Sequence, residues 1–252
     1  MSQKTSIQWT ESTWNPVTGC TKISPGCANC YAERIALRLK AAKNPSYVNG
    51  FNLTLHYNML NLPLKWSRPR KVFVNSMSDL FHKNVPSDFI TKVFGVANAA
   101  SWHSFQILTK RSERVLELDK KIIWTPNIWM GVSVEDEAHL YRVEQLKKTS
   151  SSLKFISFEP LLGKISNIEL SGIDWVIVGG ESGPKSRIMQ ESWVIDIRNQ
   201  CQEQKVPFFF KQWGGVNKKK TGRLLEGKFW DEMPSTAELT TYKNQLFSPN
   251  LP

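Results

Sequence analysis

Cysteine is scarce in this sequence, with four in 252 residues. That is too few for a disulfide scaffold, and it favours a use of the thiols in metal binding or catalysis. The chain also lacks an apolar run of the length that a membrane span needs. Its first residues, MSQKTSIQWTEST, have no apolar signal-peptide core. The sequence therefore predicts a cytoplasmic protein that does not contact a membrane.

Acidic residues are also few, with 22 Asp and Glu against 33 Lys and Arg, which leaves a net charge of +11. Such a surplus favours a polyanionic partner such as nucleic acid. Two basic segments, 65–71 (KWSRPRK) and 217–223 (NKKKTGR), are candidates for phosphate contacts, and Trp66 for stacking on a displaced base. The alternative is that both segments are simply solvated basic surface.

Three of the four cysteines lie close together, as Cys20, Cys27 and Cys30 in the spacing C-x6-C-x2-C. A [4Fe–4S] cluster held by three thiolates would keep one iron open for a small molecule. Zinc is the alternative, because C-x2-C is a common half-site, but its other ligands must then come from elsewhere. Cys201 lies on the apolar side of a predicted helix and is expected to be buried, and the four histidines show no paired ligand spacing.

Apolar segments rich in Val, Ile and Phe alternate with helical patterns, which is typical of a parallel sheet in an α/β fold. The six predicted strands are 72–77, 105–110, 128–134, 153–159, 174–181 and 206–212, with one weak candidate inside 7–17. Helices are predicted from near Tyr31, from an N-cap at Ser87, and around Val143 and Ile197. A partial (β/α) barrel of about six parallel strands with outer helices is the simplest architecture; an open doubly wound sheet is the alternative. Residues 1–234 are predicted to form one domain and 235–252 a loose tail.

Polar side chains follow nearly every predicted strand. In a barrel, the carboxyl ends of the strands and the loops after them carry the active site. We therefore expect a site at this rim. The polar strand-end residues are Ser78, Asp79, Lys110, Arg111, Ser133, Glu135, Glu159, Glu181, Lys211 and Gln212.

Several motifs together resemble a phage and bacterial family of uncharacterised proteins similar to radical S-adenosylmethionine (radical SAM) enzymes. They are WNPVTGC…ISPGCANCYAE, NSMSDLF, TKR, SFEPLLG, VIVGGESG and FKQWG. The resemblance implies a [4Fe–4S] cluster and S-adenosylmethionine as cofactors, with one electron from the cluster yielding a 5′-deoxyadenosyl radical. It also implies a distant similarity to spore photoproduct lyase, a lyase that repairs a thymine lesion in DNA.

The resemblance also implies roles for individual residues. Cys20, Cys27 and Cys30 would ligate the metal, and Tyr31 and Glu159 would complete the catalytic set. The predicted cofactor contacts are Asn75, Ser76, Ser78, Asp79, Lys110, Glu135 and Glu181. Two departures stand out: the first cysteine gap is six rather than three, and the GGE triplet comes late, at 179–181.

The predicted function is radical SAM chemistry on nucleic acid, either DNA photolesion repair or base modification. The electron donor would be a flavodoxin or a ferredoxin. One alternative keeps the radical chemistry but changes the substrate to a small nucleoside or a peptide. The other is a zinc-containing nucleic-acid-binding protein without enzymatic activity.

Overall fold

The computed structural model describes residues 5 and 7–235, and within them seven parallel strands form one curled half-barrel sheet. The strands in chain order are β1 (Ser12–Trp14), β2 (Val17–Thr18), β3 (Thr54–Leu55), β4 (Lys71–Val74), β5 (Ser104–Thr109), β6 (Ile128–Ser133), β7 (Leu153–Phe158), β8 (Trp175–Gly179) and β9 (Phe208–Gln212). The helices are α1 (Tyr31–Ala41), α2 (Ser87–Ala99), α3 (Ser112–Leu118), α4 (Tyr141–Lys147), α5 (Glu191–Glu203) and α6 (Lys218–Thr221). None of these helices is both long and apolar enough to cross a membrane.

The strand order across the sheet is β1-β4-β5-β6-β7-β8-β9, with β2 and β3 forming a separate antiparallel pair. A doubly wound sheet would reverse its strand order at a switch point. Here the order follows the chain without reversal, so the partial barrel is confirmed and the doubly wound alternative is wrong. The weak candidate strand inside 7–17 is β1, which makes seven strands rather than six.

Side chains alternate between the two faces of the sheet, as the strand repeat requires. On β4, Phe73 faces the concave interior, whereas Val72 and Val74 pack outward beneath the helices. The concave face carries an aromatic cluster of Trp9, Phe73, Trp129, Phe155, Trp175 and Phe209. This cluster fills the lower part of the half-barrel and leaves its upper part, at the carboxyl ends of the strands, open.

The segment after Trp230 remains attached to the domain, although its apolar periodicity ends there. The backbone N–H of Phe210 donates to the Trp230 carbonyl oxygen at 2.8 Å, and the Trp175 indole donates to the Glu232 carbonyl oxygen at 2.8 Å. Met233 packs against the aromatic cluster. The predicted tail, 235–252, lies outside the described residues except for Ser235.

The start of α2 and the connection between β7 and β8 are irregular. Ser87 is the first residue of α2, and Pro86 occupies the N-cap position, so the predicted serine cap is wrong.

The segment between β7 and β8 shows only a weak helical pattern, and it forms no helix. Instead Leu161, Ile165 and Ile168 are buried in the outer core, where a helix would otherwise cover the sheet.

Candidate iron–sulfur site at the carboxyl ends of the strands

The cysteine loop begins with a tight connection between β2 and the segment that follows β4. Gly19 donates its N–H to the Met77 carbonyl oxygen at 3.0 Å, and its own carbonyl oxygen accepts from Ser78 Oγ at 2.7 Å. Gly19 has a φ of +80°, and a Cβ there would lie 2.3 Å from the Asn52 carbonyl oxygen. Only glycine fits this position, so the entry of the loop is fixed by the backbone.

The structure brings the three clustered cysteines to one cavity of about 920 Å³. Cys20, Cys27 and Cys30 carry free thiols, are partly exposed, and line this cavity at the carboxyl ends of the strands. Cys27 ends a short 3₁₀ turn, and Cys30 stands at the N-cap position of α1.

The fourth cysteine, Cys201, is completely buried on α5, and burial raises the pKa of its thiol to about 12. It packs in the outer core, among the apolar side chains that cover the convex face of the sheet. The sequence-based expectation of a buried thiol is confirmed.

The three cysteines are the candidate metal donors of this cavity. Within residues 5 and 7–235, no three His, Cys, Asp or Glu side chains converge closely enough to bind one metal ion. A four-iron cluster takes each thiolate on a different iron, so its ligands stand around a larger group. Three free thiols around one cavity fit that requirement.

Arg111 connects Cys20 to the end of β4. Its Nη1 donates to Asp79 Oδ2 at 2.8 Å and to Cys20 Sγ at 3.5 Å. Its Nη2 donates to the Thr21 carbonyl oxygen at 3.0 Å. The Asp79 carboxylate also accepts from Thr109 Oγ1 at 2.7 Å and from the N–H groups of Phe81 and Lys110. Asp79, a predicted cofactor contact, therefore supports the cysteine loop through Arg111.

Glu135 supports the middle of the same loop. Its side chain is completely buried, and its Oε1 accepts from Ser24 Oγ at 2.5 Å. Its Oε2 accepts from Arg142 Nη1 at 2.8 Å, which compensates the buried charge. A Cβ on Gly26 would lie 2.5 Å from this carboxylate, so the loop packs directly on Glu135.

Glu181 holds the last part of the loop. Its carboxylate accepts from Asn29 Nδ2 at 2.9 Å and from Arg187 Nη2 at 2.5 Å. Arg187 Nη2 also donates to the Pro25 carbonyl oxygen at 2.9 Å. Burial raises the pKa of Glu181, but the hydrogen bonds from Arg187 and Asn29 outweigh it, and the net pKa is lowered. Three strand-end carboxylates thus support successive parts of one loop, Asp79 through Arg111 and the other two by direct hydrogen bonds.

The electrostatics around Cys20 favour the neutral thiol in the protein without metal. Burial and the nearby Asp79 carboxylate raise the pKa of Cys20 to about 11, against the opposing effect of Arg111. Thiolate ligands must lose their protons when a metal binds. The positive charge of a bound cluster core would stabilise the Cys20 thiolate. Arg111, which already lies beside the sulfur, acts in the same direction.

The remaining predicted contacts after β4 also line the cavity. Asn75 has a φ of +59°, and its Oδ1 accepts from the Val17 N–H at 3.2 Å, while its buried Nδ2 has no partner among the described atoms. Ser76 donates to Asn15 Oδ1 at 3.2 Å, and its carbonyl oxygen accepts from the Tyr31 hydroxyl at 2.5 Å. Tyr31 is 44% exposed as a whole, so desolvation acts at its hydroxyl end, where it and nearby Glu159 raise the pKa of Tyr31. Asn75 thus lines the cavity as a residue, although its Nδ2 atom is itself buried.

Glu159 and Lys211 form an ion pair across the ends of β7 and β9, and both line the cavity. Lys110 also lines it, and its Nζ lies 3.7 Å from Glu135 Oε1. The structure therefore brings all the predicted metal, catalytic and cofactor residues to one end of the half-barrel. Glu135 differs in that it faces the cysteine loop rather than the cavity wall.

The basic segment 65–71, a candidate for phosphate contacts, does not line this cavity. It precedes β4, and the carbonyl oxygen of Trp66 accepts from the Trp102 indole just before β5, at the amino ends of the strands. Trp66 is buried, with Arg70 over its ring at 5.0 Å, and cannot stack on a displaced base. The segment 217–223 follows β9, and the adjoining Gly215 and Val216 line the cavity.

The sequence did not predict several residues that contribute to the site. His82 is buried after β4, and its Nε2 lies 2.9 Å from Thr21 Oγ1. Its Nδ1 accepts from the Asn84 N–H at 3.1 Å, so Nε2 carries the proton toward the loop. The other missed residues are Ser24, Asn29, Arg142 and Arg187. No local pattern marks them, because each acts through a partner distant in sequence or on another element.

Comparison with known proteins places the chain in a family. A family model described as "Protein of unknown function (DUF5131)" matches residues 4–234. The chain belongs to this family. No curated protein matches it.

Solved structures of spore photoproduct lyase, a radical SAM enzyme, share the fold. One, complexed with dinucleoside spore photoproduct, is 10% identical with a TM-score of 0.50. A mutant with the same dinucleoside is 11% identical with a TM-score of 0.50, and a mutant that also has bound AdoMet gives 0.49. Each alignment covers 98% of this chain and 77% of the other. This chain thus shares its half-barrel fold with spore photoproduct lyase.

Proposed function

We propose that this protein is a radical SAM enzyme that acts on nucleic acid, through a [4Fe–4S] cluster held by Cys20, Cys27 and Cys30. The observation that carries the proposal is the meeting of three free thiols at one cavity, at the carboxyl ends of a parallel half-barrel. When bound, the cluster would supply one electron for the reductive cleavage of S-adenosylmethionine to a 5′-deoxyadenosyl radical.

The chain's own residues orient the site and separate it from water. Asp79, Glu135 and Glu181 hold the cysteine loop. Asn75, Ser76 and Ser78 line the cavity and are the proposed contacts of S-adenosylmethionine after β4, and the concave aromatic face excludes water from below. Glu159 and Lys211, paired with each other, are a fixed donor and acceptor for a substrate held in the cavity.

Nucleic acid is the proposed substrate class on two grounds. The chain has a net charge of +11, which suits a polyanion. The lyase structures that share its fold contain a dinucleoside lesion. A lesion enclosed in a duplex would have to be flipped out to enter the cavity.

The test is anaerobic reconstitution of the full chain with iron and sulfide. We expect about four irons per chain and a brown protein, as for one [4Fe–4S] cluster. Alanine at Cys20, Cys27 or Cys30 should abolish this loading, whereas the matched Cys201→Ala should not. Zinc uptake that needs Cys201 would instead support the non-enzymatic alternative.

A second measurement addresses the chemistry. Reduced, reconstituted protein is incubated with S-adenosylmethionine, and 5′-deoxyadenosine is measured by chromatography. Irradiated thymine-rich DNA is then added, and loss of photoproduct is followed by mass spectrometry. Formation of 5′-deoxyadenosine without change in any nucleic acid would favour the nucleoside or peptide alternative.

A further inference from the structure

The charges that line the cavity are almost all compensated. The ion pairs are Asp79–Arg111, Glu159–Lys211, Glu181–Arg187 and Lys110–Glu135. Arg34 also lines the cavity. In the part of the chain that the structure describes, Arg34 has no carboxylate within the 4.0 Å of an ion pair. The cavity therefore presents one uncompensated guanidinium.

Arg34 is held in place without being neutralised. It lies one helical turn after Cys30 on α1, and its Nη2 donates to the Ser182 carbonyl oxygen at 3.0 Å. A Cβ on Gly183 would lie 2.1 Å from the same nitrogen, so the guanidinium lies directly against the backbone of this turn. A guanidinium has five N–H donors, and a single neutral acceptor leaves most of them for a ligand.

A second donor stands at the same turn. The Ser182 hydroxyl oxygen accepts from Gln212 Nε2 at 2.6 Å. Because that oxygen acts as the acceptor, its own proton is free for another group. Ser182 and Arg34 both line the cavity. A planar cation beside a hydroxyl donor suits an anion with two or more oxygens, such as phosphate.

We propose that Arg34 and Ser182 form a subsite for a backbone phosphate of an oligonucleotide substrate. The proposal rests on the function proposed above and narrows its substrate. A chain with a phosphodiester would gain this contact, whereas a free nucleoside or a neutral peptide would not. The polymer would then lie along the mouth between α1 and the turn after β8, with its reacting base directed into the cavity.

The experiment compares two dinucleotides that differ only at the linking phosphorus, where one anionic oxygen is replaced by a methyl group. Thymidylyl-thymidine with its natural phosphodiester, and its neutral methylphosphonate analogue, are titrated calorimetrically into the reconstituted full-length protein. We expect Arg34→Gln to weaken binding of the phosphodiester at least about tenfold, because a charge-assisted hydrogen bond is lost. It should leave binding of the neutral analogue unchanged. Arg34→Lys keeps the positive charge but not the planar set of N–H donors, so its affinity for the phosphodiester should lie between those of the wild type and Arg34→Gln.

The matched control is Arg38→Gln, one turn further along α1 and outside the cavity lining. It removes the same charge from the same helix and should change neither affinity. Iron content and S-adenosylmethionine binding are measured on all variants. Both should be unaffected by Arg34→Gln if the residue serves the substrate.

Several results would overturn the subsite. Equal affinity of the wild-type protein for both dinucleotides, or no binding of either, would show that no phosphate is recognised. Loss of iron in Arg34→Gln would make the residue a counter-charge for the cluster, and loss of S-adenosylmethionine binding would assign it to the cofactor carboxylate. Failure of the wild-type protein to load iron would contradict the proposed function instead, so the two failures are distinguishable.

Discussion

Arg111 and Cys20 lie 91 residues apart in the sequence, yet Arg111 Nη1 reaches Cys20 Sγ at 3.5 Å while the same nitrogen binds Asp79 at 2.8 Å. This contact ties the first cysteine to the ends of β4 and β5. It also places a positive charge beside the Cys20 sulfur. That charge lowers the pKa of the thiol, against the larger effect of burial, which raises it.

Arg111→Gln should therefore weaken cluster binding. Loss of a residue that supports a metal ligand typically reduces affinity about 10- to 100-fold, so iron should be lost to a chelator much faster than from the wild type. The control is Arg114→Gln on α3, the helix that directly follows Arg111, because in the described part of the chain the Arg114 guanidinium donates to the carbonyl oxygens of Lys83 and Val85 and not to a cysteine. Equal iron retention in both variants would show that Arg111 does not support the cluster.

Gly26→Ala should also impair loading, for a steric reason. The new Cβ would lie 2.5 Å from the buried Glu135 carboxylate, and the loop would have to move away from it. Iron per chain should fall several-fold. Gly95→Ala is the control, because nothing lies within 4 Å of a Cβ on that glycine of α2; it should raise stability by up to about 1 kcal/mol.

Glu135 and Arg142 form a buried ion pair whose side chains are 0% and 1% exposed. Arg142→Met leaves the carboxylate without its guanidinium and should lower the free energy of unfolding by about 3–5 kcal/mol, measured by urea denaturation. The double variant Arg142→Met with Glu135→Leu should recover most of that stability but not cluster loading, since Ser24 then has no acceptor. Glu144→Gln, exposed on the same helix, should be neutral.

The Glu181 carboxylate should make the loop sensitive to acid. Its pKa is lowered from the ordinary value of 4.5 in the folded protein, so the folded state favours the ionised form. The resulting stability is present above pH 4.5 and is lost as the pH falls through the folded pKa. The difference in unfolding free energy between wild type and Glu181→Gln should therefore shrink in acid. A difference that is constant with pH would contradict the role of the ionised carboxylate.

The sheet was the most predictable part of the molecule. Six of its strands are mainly apolar, because a parallel sheet covered on both faces does not require regular polar alternation. The edge strand β1 is short and contains Ser12 and Thr13, so only its burial in the fold distinguishes it from a loop. The segment between β7 and β8 was also hard to predict, because it contributes apolar side chains to the core without the regular repeat of a helix or a strand.

The sequence predicted which residues belong to the site, but it did not predict which side chains they contact. The positions of Asp79, Glu135 and Glu181 at strand ends marked them as functional, but their partners come from tertiary contacts such as Arg142 on α4 and Arg187 beyond the turn. The same limit explains Trp66, whose neighbouring basic residues gave no sign that its ring is buried against His103.

The two edge strands of the half-barrel, β1 and β9, do not pair with each other within the described chain. A closed barrel admits a ligand only along its axis, so a long polymer would have to be threaded by one end. An incomplete barrel has a lateral slot, and a continuous strand can be laid into it at any internal position. The segment from Trp230 to Met233 pairs with β9 and packs on the aromatic cluster, so an oligonucleotide of the kind proposed above would enter through the upper part of this opening.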